Sequence, residues 1–198
     1  MGQYYDILIE QNGQYYHSNR IVDDNLTPAK LTEHSWFEND LLKCVQWFVY
    51  KKPSRVYWVG DYTNTEERII NGLTPNDIKK IYSLCYNKNF KKDKGVKEIG
   101  TFYSKNGSLS LKGKFLVNHT KKIYIDGTAY FDLATDEEGW CTNPLSLLTA
   151  LGYGQGGGDY CGKEEEKVGA WSGDWISIED NPPLIFEDRT LDYIFSHN

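Results

Sequence analysis

The chain has 198 residues, 39% hydrophobic and 15% aromatic, so it is long enough to bury a core, and we expect a single domain over residues 1–198. Its net charge of −6 is divided into −4 over residues 1–78, +10 over 79–122 and −12 over 123–198. No apolar run approaches the roughly 20 residues that span a bilayer, so a membrane-spanning protein is not expected. The first residues lack the charged stretch followed by an apolar one that is typical of a signal peptide. We therefore expect a cytoplasmic location.

The first predicted element is a β-hairpin around the dipeptide Asn12-Gly13. Residues 4–10 alternate imperfectly between apolar and polar side chains, as a half-buried strand does, and residues 14–16 begin a returning strand. Asn and Gly both tolerate the positive φ angles that a type I′ turn requires. The pattern therefore predicts two antiparallel strands at the start of the fold.

A helix is predicted after Trp36, because apolar residues recur there on one face of a 3.6-residue period. These residues are Leu41, Cys44, Val45, Phe48 and Val49. Ser35 and Glu38 have the spacing of a capping box, which would start the helix near Trp36, and Pro53 would end it. Cys44 is therefore expected to pack in the core and not to act as a reactive thiol.

A strand over residues 55–62 and a second helix follow. Thr74, Pro75 and Asp77 are typical of a helix start, where they serve as the N-cap, the first helical residue and an acid in the first turn. The second helix is therefore expected to begin at this point, with an apolar side packed on the core.

Residues 87–98 form a lysine-rich stretch that we expect to be an exposed loop or a basic insert. Its one aromatic residue, Phe90, is too little for base stacking, so direct nucleic-acid binding by the chain as a whole is not expected. The cations that could nevertheless contact phosphates are Lys88, Lys91, Lys92 and Lys94.

From residue 99 to residue 133 the pattern becomes β, with short apolar runs separated by turn dipeptides. Asn106-Gly107 predicts one hairpin, and Asp126-Gly127 predicts another that leads into a strand over residues 130–133. Several short strands joined in this way indicate an antiparallel meander.

The last third adds a short helix over residues 144–151 that Gly152 would end, a strand over 175–179 and a final helix over 188–195. Strands precede, interrupt and follow helices without a regular βαβ alternation. We therefore expect the α+β class, with an antiparallel β meander of hairpins and three to four short helices packed on it.

A glycine-rich segment invites comparison with phosphate-binding loops, but it fails the tests for one. Gly156, Gly157 and Gly158 are followed by Asp159 and Tyr160, where a P-loop requires Lys and Ser or Thr. The dinucleotide fingerprint requires a strand before the glycines and a helix after them, and the order here is reversed. Because a carboxylate repels phosphate, we expect no cofactor, and a tight turn packed against aromatic residues is the alternative.

The four cysteines, at positions 44, 85, 141 and 161, lack the CxxC spacing of a zinc site, so no metal is expected. Cys141 and Cys161 flank the glycine-rich segment, where a reactive thiol would need a neighbouring base. His34 is the best candidate, since it precedes a predicted helix, whereas His17 is expected in a turn. An inert buried thiol is the alternative.

Three carboxylates share a Gly-Asp-aromatic pattern, at Asp61, Asp159 and Asp174. If they converged, they could bind a divalent metal or perform acid–base chemistry. They could equally be turn residues that bond their own backbone.

The chain resembles a family of bacterial and bacteriophage proteins without an established activity. The stretches that carry this resemblance are MGQYY at the beginning, the segment ending in EHSW, RVYWVGDY, NPLSLLTALGYGQGGGDY and VGAWSGD. The resemblance covers nearly the whole chain and implies that some residues share one site or one packed corner. Those residues are His34, Trp36, Trp58, Asp61, Asp159, Tyr160 and Trp171.

These observations favour a non-enzymatic binding protein, encoded by a phage or mobile element, that inhibits a host defence component such as a CRISPR effector. An acidic, aromatic-rich surface can occupy a groove built for nucleic acid. Its acidic part is expected at Glu164, Glu165 and Glu166.

The alternative is a small-ligand or nucleotide-binding protein, or a hydrolase, whose site lies between the EHSW, WVGDY and GQGGGDY segments. Its candidate binding residues are His34, Trp36, Trp58, Asp61, Gly156, Gly157, Gly158, Asp159, Tyr160, Trp171 and Asp174.

Overall fold

The computed structural model describes residues 2–18, 30–32, 35–98, 107–154 and 160–195. Within these residues the fold is α+β, with two mixed sheets and five α-helices. The strands are β1 (Tyr5–Gln11), β2 (Gln14–Ser18), β3 (Arg55–Gly60), β4 (Lys97–Glu98), β5 (Phe115–Asn118), β6 (Ile123–Asp126), β7 (Ala150–Leu151), β8 (Ile176–Glu179) and β9 (Glu187–Asp188). The helices are α1 (Asp40–Phe48), α2 (Pro75–Tyr86), α3 (Lys88–Asp93), α4 (Gly127–Ala134) and α5 (Pro144–Leu148).

The larger sheet has the strand order β4-β2-β1-β3-β7. The predicted hairpin is confirmed: β1 and β2 pair antiparallel around Asn12 and Gly13, whose φ angles are 50° and 74°. β3 pairs antiparallel with β1 on its other side, whereas β4 and β7 join the two edges in parallel. The sheet is therefore mixed rather than a pure antiparallel meander.

The two faces of this sheet bury different cores, because alternate residues of each strand point to opposite sides. Ile7, Val56 and Trp58 belong to the main core, which also contains the apolar residues of α1 and α5. Leu8 and Val59 belong to a smaller core on the other face. The side chains of α2 that cover this second face are Ile78, Ile81, Leu84 and Cys85.

The smaller sheet has the order β8-β5-β6-β9, and β9 pairs in parallel with β6. Leu116, Ile125 and Ile178 place its inner face in the main core. Isolated backbone bridges from the segment between α1 and β3 tie the chain to β8, with Ser54 N 2.8 Å from Ile176 O. The strand predicted at residues 175–179 is thereby confirmed.

Helix starts were predicted with mixed success. Thr74 caps α2 as expected, and the Thr74 and Asp77 side chains each bond the other residue's backbone N–H. The predicted start of α1 near Trp36 is wrong, because the helix begins at Asp40 and the Asn39 side chain accepts from Leu41 N at 2.8 Å.

Two segments take a different structure from the one predicted. Asp126-Gly127 does not form a hairpin: the Asp126 carboxylate accepts from Thr128 N and Ala129 N and starts helix α4, where a strand was predicted. The lysine-rich stretch is not a loop, since it forms α3 and β4. The hairpin predicted at Asn106-Gly107 falls partly outside the described residues.

The last third also differs in detail. Helix α5 ends at Leu148 and is followed by strand β7, so Gly152 does not end the helix. The final helix predicted over residues 188–195 is replaced by the end of β9 and a 3₁₀ turn at Thr190–Tyr193. No helix within the described ranges has the length and apolar character needed to cross a bilayer.

Candidate functional site

Three of the predicted site residues lie together in the main core rather than in a cleft. Trp58 and Trp171 are fully buried and Tyr160 is 3% exposed. Tyr160 packs edge-to-face on Phe195 with ring centroids 5.4 Å apart, and Trp171 packs in the same way on Tyr193 at 5.3 Å. These residues are placed to stabilise packing, since large buried aromatic side chains dominate core energetics.

Asp61 and Asp174 occupy separate hydrogen-bonded settings. Asp61 closes the end of the β1–β3 ladder, where its backbone N–H donates to Tyr4 O at 2.9 Å and its carboxylate accepts from Tyr4 N at 3.2 Å. The Asp174 carboxylate is buried, accepts from Asn118 Nδ2 at 2.7 Å and forms an ion pair with Lys121. Both carboxylates are therefore engaged in contacts within the fold.

The remaining members of the predicted site are His34, Gly156, Gly157, Gly158 and Asp159, and all of them lie outside the described residues. Their part in a site therefore stays a prediction. In the described part of the chain, no group of three or more His, Cys, Asp or Glu side chains has an arrangement that could hold a metal ion.

Trp36 lies at the surface, 37% exposed, and pairs with a residue that sequence reasoning did not include. Its ring meets that of Trp140 edge-to-face, with centroids 6.5 Å apart and an interplanar angle of 84°. Backbone bonds hold the two segments together, since Phe37 N donates to Cys141 O at 2.7 Å and Asn143 N donates to Ser35 O at 2.8 Å. We call this arrangement the tryptophan pair.

Trp140 is presented by a tight turn over residues 136–140. The Asp136 carboxylate accepts from Trp140 N at 2.6 Å, and Asp136 N donates back to Trp140 O at 2.9 Å. Gly139 adopts a φ of 86°, which favours glycine. Trp140 is 58% exposed, and Glu137 and Glu138 on the same turn are exposed as well. The turn therefore places acidic and aromatic side chains side by side.

The acidic segment predicted at the surface borders a cleft. Glu165 and Glu166 are exposed and begin a 3₁₀ turn, whereas Glu164 is half-buried and accepts from the Tyr160 hydroxyl. The cleft has a volume of about 700 Å³ and lies between residues 68–71 and residues 162–170, with Ala150 and Tyr153 also lining it. Sequence reasoning missed this cleft, since the segments that form it are distant in the chain.

Arg68 is a hydrogen-bonded charged group in the cleft wall. Its Nε and Nη2 donate to the two carboxylate oxygens of Glu66, each at 2.7 Å, and Nη2 also donates to Tyr153 O at 2.8 Å. Burial raises the pKa of Glu66, but the hydrogen bonds from Arg68 outweigh burial and leave that pKa below its ordinary value. The guanidinium is therefore fixed in one orientation.

The predicted phosphate-contacting lysines lie on or next to α3. Lys88, Lys92 and Lys94 are exposed. Lys91 is turned inward, 14% exposed, with its Nζ 2.6 Å from Glu98 Oε1. Lys91 is thus engaged in an internal ion pair and is not presented as a surface cation.

His17 is not in a turn, as was predicted, but in strand β2 and fully buried. Its Nε2 lies 3.1 Å from Asp6 Oδ2. A second carboxylate, that of Glu98, meets the other ring nitrogen at 2.7 Å. This network could not be predicted from the sequence around His17, because its partner Glu98 belongs to a strand that was predicted as a loop.

No protein-family model, curated protein or solved structure matches the chain.

Proposed function

We propose that the chain is a non-enzymatic binding protein whose tryptophan pair and acidic turn dock on a basic surface of a partner. The observation that carries the proposal is the edge-to-face contact of Trp36 and Trp140 beside the exposed carboxylates of Glu137 and Glu138. Half-exposed tryptophans are enriched among the residues that dominate binding free energy at interfaces.

The rigidity of the turn supports this proposal. Asp136 bonds the backbone of Trp140 in both directions, and the ring of Trp140 packs on that of Trp36, so little conformational entropy would be lost when Trp140 is covered by a partner. A pre-ordered aromatic side chain needs fewer compensating contacts than a mobile one. The turn is thus suited to recognition by a complementary surface.

The negative charge of this part of the chain indicates the class of partner. Residues 123–198 carry a net charge of −12, and the acidic turn belongs to this block. Acidic surfaces associate with basic ones faster and with better discrimination than with neutral ones. A groove that normally holds nucleic acid is basic and accepts flat aromatic groups.

The partner that we propose is therefore a nucleic-acid-binding component of a host defence system, such as a CRISPR effector. The resemblance to bacteriophage proteins motivates this choice, together with an origin in a phage or mobile element. In this proposal the protein acts in the host cytoplasm, where such effectors operate, and it inhibits by occupying the groove.

The experiment compares two charge reversals of equal size in a pull-down from host lysate at low salt. Glu137→Lys/Glu138→Lys removes the acidic turn, and Glu165→Lys/Glu166→Lys removes carboxylates at the cleft. Truncating a residue that dominates an interface costs about 2 kcal/mol, or roughly 30-fold in affinity. We therefore expect Trp140→Ala and the first reversal to lose the partner and the second reversal to keep it.

Trp47→Ala is the matched control, because Trp47 is another exposed tryptophan, at 43%, on helix α1, where its ring stacks on Tyr50. It should retain the partner. Failure of the wild-type chain to hold any host protein at low salt, or loss only with the Glu165→Lys/Glu166→Lys reversal, would contradict the proposal. Purified partner should lose nucleic-acid binding when the wild-type chain is added and keep it when Trp140→Ala is added.

A further inference from the structure

The cleft between residues 68–71 and 162–170 is built as a preformed pocket. Gly169 N donates to Leu147 O at 2.8 Å, which fixes one wall on helix α5. The opposite wall is closed on itself by backbone bonds of 3.1 and 2.9 Å between Ile70 and Leu73. Its volume of about 700 Å³ lies within the range typical of small-molecule sites.

The two walls are linked to each other as well as to the fold. Asn71 Nδ2 donates to Ser172 O at 2.8 Å, and Lys121 Nζ lies 2.8 Å from Asn71 Oδ1 and 3.1 Å from Ala170 O. A ligand would therefore enter a cleft whose width is already set, with little ordering of the walls on binding.

Arg68 supplies an unused donor group in this cleft. Its Nε and Nη2 are taken by Glu66 and Tyr153, whereas Nη1 makes no hydrogen bond to any described residue. Two N–H donors thus remain, both on Nη1 of the fixed guanidinium, and a carboxylate can accept a charge-assisted hydrogen bond from this nitrogen. Lys163, also in the lining and exposed, adds a second positive charge.

The same cleft carries negative charge. Glu165 and Glu166 are exposed and line it together with the two cations. Two carboxylates disfavour a phosphate or nucleotide, whose charge they would repel, but they favour an ammonium group. Apolar surface for an aliphatic side chain is provided by Ile70, Val168 and Ala170.

From this combination we infer that the cleft binds a small aliphatic zwitterion, either an amino acid or a short peptide with both termini free. The carboxylate of the ligand meets Arg68 and Lys163, its ammonium meets Glu165 and Glu166, and its side chain packs on the apolar wall. This inference is independent of the tryptophan pair and of any protein partner.

The test is calorimetric titration of the full chain with trileucine, N-acetyl-trileucine, trileucine amide, leucine and AMP. We expect saturable binding of trileucine or leucine, and a loss of about tenfold or more when either terminus is capped, because each cap removes one charge-assisted contact. Equal binding of the capped peptides would overturn the inference, as would binding of AMP alone or no binding of any probe.

Variants locate the site and separate its two charge groups. Ala170→Trp fills the cleft and should abolish binding. Lys163→Gln should weaken trileucine but not its amide, and Glu165→Gln/Glu166→Gln should weaken trileucine but not its N-acetyl form. Lys92→Gln, an exposed lysine on α3, is the control and should bind as the wild type does. Unchanged binding by Ala170→Trp, with an unchanged melting temperature, would place the ligand elsewhere and overturn the inference.

Discussion

The imidazole of His17 and the carboxylate of Glu98 meet at 2.7 Å, between Nδ1 and Oε2, and join the central sheet to the segment that follows helix α3. Glu98 also accepts from Lys91 Nζ at 2.6 Å through its other oxygen. Strand β4 is only two residues long, at Lys97–Glu98, so backbone pairing alone holds it weakly. The side chain of Glu98 is therefore an additional anchor of this edge strand.

Acidification is predicted to weaken that anchor. Burial raises the pKa of Glu98, but hydrogen bonds from Lys91 and His17 outweigh burial, so the pKa in the folded state is below the ordinary value. A carboxyl group of this kind contributes stability above its unfolded-state pKa, and the contribution is lost as pH falls through the folded-state pKa.

Urea unfolding of wild type and Glu98→Gln at a series of pH values measures this effect. The wild type should be the more stable at neutral pH, and the difference should shrink as the pH becomes acidic. Glu67→Gln, an exposed carboxylate in the segment that follows β3, is the control and should show no such pH-dependent difference. A Glu98→Gln deficit that stays constant down to acidic pH would contradict the prediction.

Gly169→Ala is predicted to destabilise the protein more than Gly113→Ala. Both glycines have positive φ angles, of 80° and 74°, and a side chain there costs about 1–2 kcal/mol. At Gly169 an added Cβ would also lie 2.8 Å from Ala150 O and 2.9 Å from Ile70 Cγ2, whereas at Gly113 it would meet open space. The free energy of unfolding, measured in urea, should therefore fall by about 1 kcal/mol more in Gly169→Ala than in Gly113→Ala. Equal losses in the two variants would contradict the predicted clash at Gly169.

The sequence was a good guide where a local rule decides the structure. Asn12-Gly13 and the Thr74 cap act through their own backbone, and both are found as predicted. Asp126-Gly127 misled because Asp is favoured both in turns and at helix N-caps. In the fold Asp126 serves as the N-cap of α4, and Gly127 lies so close to Leu111 that an added Cβ would be 2.2 Å from Leu111 O.

The candidate sites were harder to predict than the fold, because each joins segments that are distant in the chain. The expected association of Trp36 with His34 and the glycine-rich segment stays a prediction, since those residues lie outside the described ranges. The ring contact that the structure does show is with Trp140, on a turn that carries no catalytic pattern. Arg68 has no motif around it, and its role follows only from the buried Glu66 and the carbonyl of Tyr153. Contacts of this kind depend on the assembled fold.

Lys121→Met is predicted to destabilise the chain, whereas Lys122→Met is not. Lys121 forms an ion pair with the buried Asp174 carboxylate and bonds Asn71 and Ala170 as well. Removing it leaves Asp174 with Asn118 as its side-chain donor, and a buried acceptor that loses a partner costs about 1–3 kcal/mol. Lys122 is the exposed neighbour and serves as the matched control. Equal unfolding free energies for the two variants would contradict this assignment.

Of the four cysteines, one is predicted to react rapidly with an alkylating reagent and three are predicted to react slowly. Cys161 is exposed, whereas Cys44, Cys85 and Cys141 are buried. Burial raises the pKa of each of the three buried thiols, in the case of Cys141 to about 12, so little of the reactive thiolate forms near neutral pH.

Alkylation of the native protein with iodoacetamide, followed by mass spectrometry, should show one rapid modification. Cys161→Ser should remove that phase, and the other three thiols should react only after unfolding in urea. Rapid native labelling of Cys141 would contradict the prediction, and it would revive the hypothesis of a nucleophilic cysteine beside the glycine-rich segment. Slow labelling would instead assign Cys141 to the core, because a thiol held protonated by burial cannot act as a nucleophile at neutral pH.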